Sequence, residues 1–170
     1  AGALTMETIC KVVPEEAIRD LSRAFYTRVY ADEGHPEFLR LFTRVASLEK
    51  AITNQARWLI ESFGGTKGYS VEHGDLLDHE GRFIKRHMAL GAMKEEWGVR
   101  WMFHMTLAID RDVDWTGKHG VSEDVVMRMK EVLDEFWAYG LANMYATEGE
   151  PDVVVGQRMV AEAKQQASKA

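Results

Sequence analysis

His87 stands in Arg82-Phe83-Ile84-Lys85-Arg86-His87-Met88-Ala89-Leu90, an imidazole beside two bases and among apolar side chains. The other histidines, His35, His73, His79, His104 and His119, fall in loops or beside polar residues, where a solvated ring is the ordinary outcome. His104 lies on a helix, to one side of the face that Trp101 and Met105 define. Upstream, Ala51, Gln55, Trp58, Leu59 and Ser62 share one helical face, so an amide interrupts an apolar stripe. Burying an amide without partners costs about 1–3 kcal/mol, so Gln55 needs a backbone carbonyl, solvent or a ligand. Tyr26, at the edge of the stripe that holds Phe25, offers a second donor. Downstream, Trp97 and Trp101 lie one turn apart. An imidazole facing polar groups across an aromatic, apolar space suits a buried, flat iron cofactor. The structural alternative is a satisfied core histidine within an aromatic core.

Spacing argues against other chemistries. Gly64-Gly65 lacks the later glycine or lysine of a phosphate-binding loop. There is no His-Glu-x-x-His pair and no Gly-x-Ser-x-Gly elbow. Glu72 and His73 are adjacent, whereas di-iron bundles need them three apart. The lone Cys10 cannot form an internal disulfide and is a poor start for a zinc site. Twenty-one Lys and Arg against 27 Asp and Glu give a net charge of −6 with no basic cluster, which argues against nucleic acid. No apolar run is long enough for a membrane span, and no secretory leader is visible. The expected compartment is the cytoplasm, with organellar import left open.

The elements that must position these residues read as helices. Pro14 suits a first helical position, followed by Glu15 and Glu16 and a stripe of Ala17, Leu21, Phe25 and Val29. Pro36 restarts a short helix through Phe38, Leu41 and Phe42. Ser47 caps a helix that Gly64-Gly65 ends. A loop over 66–82 precedes a short helix carrying His87, which Gly91 closes. A longer helix over 92–110 presents Met93, Trp97, Trp101, Met105 and Ile109. Ser122 caps the next, with Val126, Met129, Leu133, Phe136, Trp137 and Leu141. Pro151 starts a last segment, in which Val153-Val154-Val155 is locally β-prone and the stretch from Lys164 has no apolar face and frays. The expectation is a single all-α domain.

Five separated motifs, in order, carry a family resemblance over residues 14–145. They are Phe25-Tyr26-Thr27-Arg28-Val29-Tyr30-Ala31-Asp32, Ala51-Ile52-Thr53-Asn54-Gln55, Gly64-Gly65 with Tyr69-Ser70, Arg86-His87, and Arg100-Trp101-Met102-Phe103-His104-Met105. Together the chain resembles a group II truncated haemoglobin of the plant and algal kind. The resemblance implies a two-over-two helical sandwich around haem b, with His87 as the proximal iron ligand. It implies Tyr26, Gln55 and Trp101 as hydrogen-bond donors to a bound gas, and Ala51 as the small residue that leaves a path to it. Phe42, Trp58, Leu59, Tyr69 and Met105 would line the haem, and Arg86 would face a propionate. Trp97 is the alternative to Trp101. The chain departs from the family pattern at Thr66, where proline is usual after Gly-Gly, and at Ala89-Leu90, where Pro-Phe is usual. It also has a longer loop over 71–82 and one extra residue between His87 and Trp101.

The implied function is reversible binding of dioxygen and of CO and NO; the alternative is an enzyme that dioxygenates nitric oxide or reduces peroxide, with a reductase as partner. The implied organisation is a globin domain over 1–147 and a partly disordered extension over 148–170, as a monomer or weak homodimer.

Overall fold

Glu15 and Glu16 complement the positive end of the first long helix, α1 (Glu15–Tyr30), with Pro14 at its N-cap rather than inside it. Ile18, Leu21, Phe25 and Val29 are buried along one side of α1. The computed structural model describes residues 2–74, 94–145 and 152–170. Pro36 sits in the first turn of α2 (Pro36–Thr43), where its missing N–H leaves no bond unmade. In α3 (Leu48–Ser62), the Ser47 hydroxyl accepts the Lys50 N–H at 3.3 Å as the expected cap.

Gly64 ends α3 with a φ of 79°, and a Cβ there would lie 1.9 Å from the Glu7 carbonyl oxygen. The close approach lets the N-terminal 3₁₀ turn, Met6–Lys11, pack on the end of α3, where the Cys10 N–H donates to the Phe63 carbonyl at 3.0 Å. The loop expected from residue 66 instead contains a helical turn, α4 (Gly68–His73). Side chains from other helices nucleate it: the Glu61 carboxylate accepts the Ser70 N–H at 2.8 Å, and the Glu15 carboxylate accepts the Thr66 N–H at 2.7 Å.

Helix α5 (Glu95–Leu107) runs into a π turn, Ala108–Asp112. Helix α6 (Glu123–Tyr145) starts where the Ser122 hydroxyl accepts the Val125 N–H at 3.3 Å. Helix α7 (Val153–Lys169) corrects two expectations. The β-prone valines are helical, because the Asp152 carboxylate caps Val154 N–H at 3.0 Å. The tail from Lys164 stays helical through Lys169, because Met159, Ala163 and Ala167 are buried beneath it.

Helix α1 packs along α3, while α7 packs along both α5 and α6, and α1 also touches α5 and the π turn. Two helical layers thus enclose one core, with no strand among the described residues. No helix among the described residues is long and apolar enough to cross a membrane.

Candidate functional site

Tyr26 faces out of α1 toward α2, its ring edge-on to Phe42 at 6.2 Å and to Tyr30 at 6.2 Å. Its hydroxyl has no hydrogen-bond partner among the described residues. Burial, and then the neighbouring Tyr30, push the Tyr26 phenol well above its ordinary pKa. A phenol is already protonated at neutral pH, and the shift keeps it so into the alkaline range, as a donor or a neutral acceptor. One turn earlier on the same face, the fully buried Ser22 reaches across to α3. Its hydroxyl lies 2.7 Å from the Gln55 Oε1 and 3.2 Å from the Ile52 carbonyl oxygen. Residues one turn apart on a helix have Cβ atoms about 5–6 Å apart, so this bond ties Gln55 close to Tyr26. The Gln55 amide nitrogen has no partner among the described residues. Ala51, the small residue one turn before Gln55, is buried.

Aromatic rings extend from this point in two directions. Toward α2, Phe42 packs on Phe38 at 5.0 Å, and Phe38 on Trp97 at 6.0 Å. Toward α6, Phe25 packs on Trp101 at 4.9 Å, and Trp101 on Trp137 at 5.2 Å. Trp58 lies 5.8 Å from Phe136, and Tyr69 lies 4.7 Å from His73. Leu59 and Met105 are fully buried in the shared core. The structure thus puts Tyr26 against Phe42 of α2, and ties Gln55 of α3, one turn from Ala51, to Ser22 of α1. Trp101 joins them through Phe25, and Trp58 and Tyr69 lie further along α3 and α4. His87 and Arg86 lie outside the described residues.

A sequence model of the family described as bacterial-like globin matches residues 11–135, which runs from before α1 into α6. The chain belongs to the bacterial-like globin family. This globin is 35% identical over 94 residues to a group 2 truncated hemoglobin 3-1 from Lotus japonicus, covering 55% of this chain and 51% of that protein. It is 34% identical over 97 residues to two-on-two hemoglobin-3 from Arabidopsis thaliana, covering 56% of this chain and 50% of that protein. The chain thus spans about half the length of these curated relatives. The all-α architecture is the two-over-two sandwich of truncated globins.

Globins hold haem, and the residues present fit such a group. The indole nitrogens of Trp97 and Trp137 are buried without a partner, and the half-buried Tyr26 and Gln55 carry donors with none among the described residues. Buried indole donors left unpartnered among apolar rings are rare in a finished core and suit a space made for something else.

One cluster in this globin was not anticipated from sequence. Asp32, buried just past the end of α1, accepts from Arg100 Nε at 2.7 Å and Nη2 at 3.0 Å, and from His104 at 2.7 Å. His35 lies 2.9 Å from the other side of the carboxylate. Burial alone would raise the Asp32 pKa, but the hydrogen bonds from Arg100, His104 and His35 hold it well below the carboxylate range. His104 is therefore not a solvated ring beside the apolar face. It is buried, and burial pushes its pKa down against the pull of Asp32. His119 is likewise buried at its side chain, bonded at 2.8 Å to Asp20. The signal available in sequence was the Asp32 to Arg100 and His104 combination, but no periodicity links residues so far apart.

Proposed function

We propose that this chain holds haem b between the α1–α3 and α5–α6 layers and reversibly binds dioxygen, with CO and NO as further ligands. The observation that supports the reading is the tie from Ser22, one turn before Tyr26 on α1, to the Gln55 Oε1, with the Gln55 amide nitrogen and the Tyr26 hydroxyl lacking partners among the described residues. Haem, when bound, supplies an iron with a coordination position open to a diatomic gas. The imidazole of His87 would hold that iron from one side, and Arg86 beside it would face a propionate. Phe42, Trp58, Leu59, Tyr69 and Met105 would line the apolar cofactor.

On the opposite side, Tyr26, Gln55 and Trp101 aim hydrogen bonds at the gas. The Tyr26 phenol, protonated at neutral pH like any tyrosine and pushed further up by burial, serves as donor. Donors fixed in a dry pocket act more strongly than in water, since no solvent competes and none need reorganise. Ala51 leaves room near the start of α3 where a larger side chain would close the path.

Absorption spectra of the purified chain, reduced and then exposed to oxygen or to carbon monoxide, test this reading. A Soret band that shifts with each gas is expected, and His87→Ala should abolish the reduced spectrum of a histidine-bound iron. A chain that stays colourless after haem is added would overturn it.

A further inference from the structure

A serine within a helix ordinarily bonds back to a carbonyl of its own preceding turn. Ser22 does not. It is fully buried, and its hydroxyl reaches across the α1–α3 contact to Gln55 Oε1 at 2.7 Å, with the Ile52 carbonyl at 3.2 Å as its other neighbour. A glutamine side chain turns about three single bonds, and fixing such a chain costs up to about 2 kcal/mol of rotamer entropy. Something must hold it for its amide to act as a directed donor.

We propose that Ser22 is the positioning residue of the gas-binding pocket: its hydroxyl holds the Gln55 oxygen, so that the amide nitrogen, and not the oxygen, points into the space beside Tyr26. The inference rests on the haem reading of that space, but the hold itself exists without haem. Three features support it. Ser22 lies one turn before Tyr26 on α1, which puts their Cβ atoms about 5–6 Å apart. An oxygen turned toward Ser22 leaves the N–H groups on the other side of the Gln55 amide, and these suit a ligand that accepts. Finally, the Ser22 side chain has no solvent to compete for its proton.

The test uses the full chain with Ser22→Ala, Gln55→Leu and the double variant. In the haem-free protein, the Gln55 side-chain amide should give a pair of ¹⁵N-correlated proton signals displaced from those of a solvated glutamine, and Ser22→Ala should move them toward the solvated positions. Signals identical in the two proteins would overturn the hold, whether or not the chain takes up haem. In the haem-loaded protein, Ser22→Ala should speed oxygen release about two- to tenfold, the range one neutral hydrogen bond commands. It should also split the C–O stretching band of the carbon monoxide complex. Neither effect should appear when Ser22→Ala is made in the Gln55→Leu background; an equal effect there would show that Ser22 acts by another route. Gln55→Leu alone should raise the C–O stretching frequency, because it removes a donor. A lowered frequency would mean that the amide presents its oxygen, and the proposal would fail. A chain that keeps the amide signals as expected but never binds haem would refute the gas-binding role while leaving the hold in place.

Discussion

Trp97 projects from α5 toward α2, whereas Trp101 lies between α1 and α6, packed on Trp137 at 5.2 Å. Trp97 packs against His35 and Phe38, and Lys94 lies over its ring at 6.0 Å. Trp101 packs against Phe25, whose ring meets Tyr26 edge-on at 4.9 Å. The route from an indole to the Tyr26 donor is therefore one ring long for Trp101, and runs through Phe38 and Phe42 for Trp97. A single hydrogen bond contributes about 0.5–1.5 kcal/mol, so Trp101→Phe should speed gas release several-fold. Trp97→Phe should change it less than about twofold. Stopped-flow release of oxygen from the two variants checks this; a larger effect from Trp97 would exchange their roles. Gln55 was legible as an amide in need of a partner because its neighbours on α3 are apolar. The partner was not legible, because a serine on a helix face carries no sign of which helix it will bond.

Asp32 works at the scale of elements, joining the end of α1 to the middle of α5 through Arg100 and His104. The same clamp flanks Trp101 and fixes how α5 is turned. Its pH dependence follows from two folded-state pKa values that both lie below their ordinary ones. The Asp32 carboxyl is raised by burial and more than offset by its donors; His104 is lowered by burial, against the Asp32 bond, with Arg100 also lowering it. A depressed folded pKa means the unfolded chain binds the proton first, so stability falls as pH falls. For His104 that loss begins near the ordinary histidine value of about 6.5, and for Asp32 near the ordinary aspartate value of about 3.9. Glutamine in place of His104 keeps an N–H donor for Asp32 but cannot titrate. The urea midpoint of His104→Gln should therefore drop less than that of the wild type between pH 7.5 and 5. Equal drops would show that His104 does not set the acid response. Element positions were largely readable from caps and stripes, as Ser47 and Ser122 show, whereas a contact between Asp32 and α5 depends on the packing of α1 against α5.

Across the whole molecule, helical class followed from apolar periodicity, but α7 did not announce its role. Its inner face is made of small residues, with Gly156, Ala163 and Ala167 around Met159 and Val160, and such a face has little hydrophobic contrast. Small residues matter there because they let backbones approach. A Cβ on Gly156 would lie 1.8 Å from the Ala138 carbonyl oxygen on α6 and 2.7 Å from its carbon, so backbone would have to move. The Met159 methyl and the Tyr145 hydroxyl crowd Gly98 on α5 in the same way, at 2.6 Å and 2.7 Å from a built Cβ. Helix α7 thus packs closely on both α5 and α6. Gly140, in the interior of α6, has nothing within 4 Å of a built Cβ. The two glycines predict opposite signs for one substitution. Overpacking costs about 1–3 kcal/mol, which for a chain of this size lowers Tm by about 2–12 °C in Gly156→Ala. Gly140→Ala removes a helix-interior glycine and should raise Tm by about 1–4 °C, since the gain is roughly 0.5–1 kcal/mol. Thermal melts of both variants decide it: a Gly156→Ala chain as stable as the wild type would mean that α7 rests on α6 without close backbone packing. The Soret maximum should be unmoved in both variants, because neither glycine touches the side chains beside Tyr26.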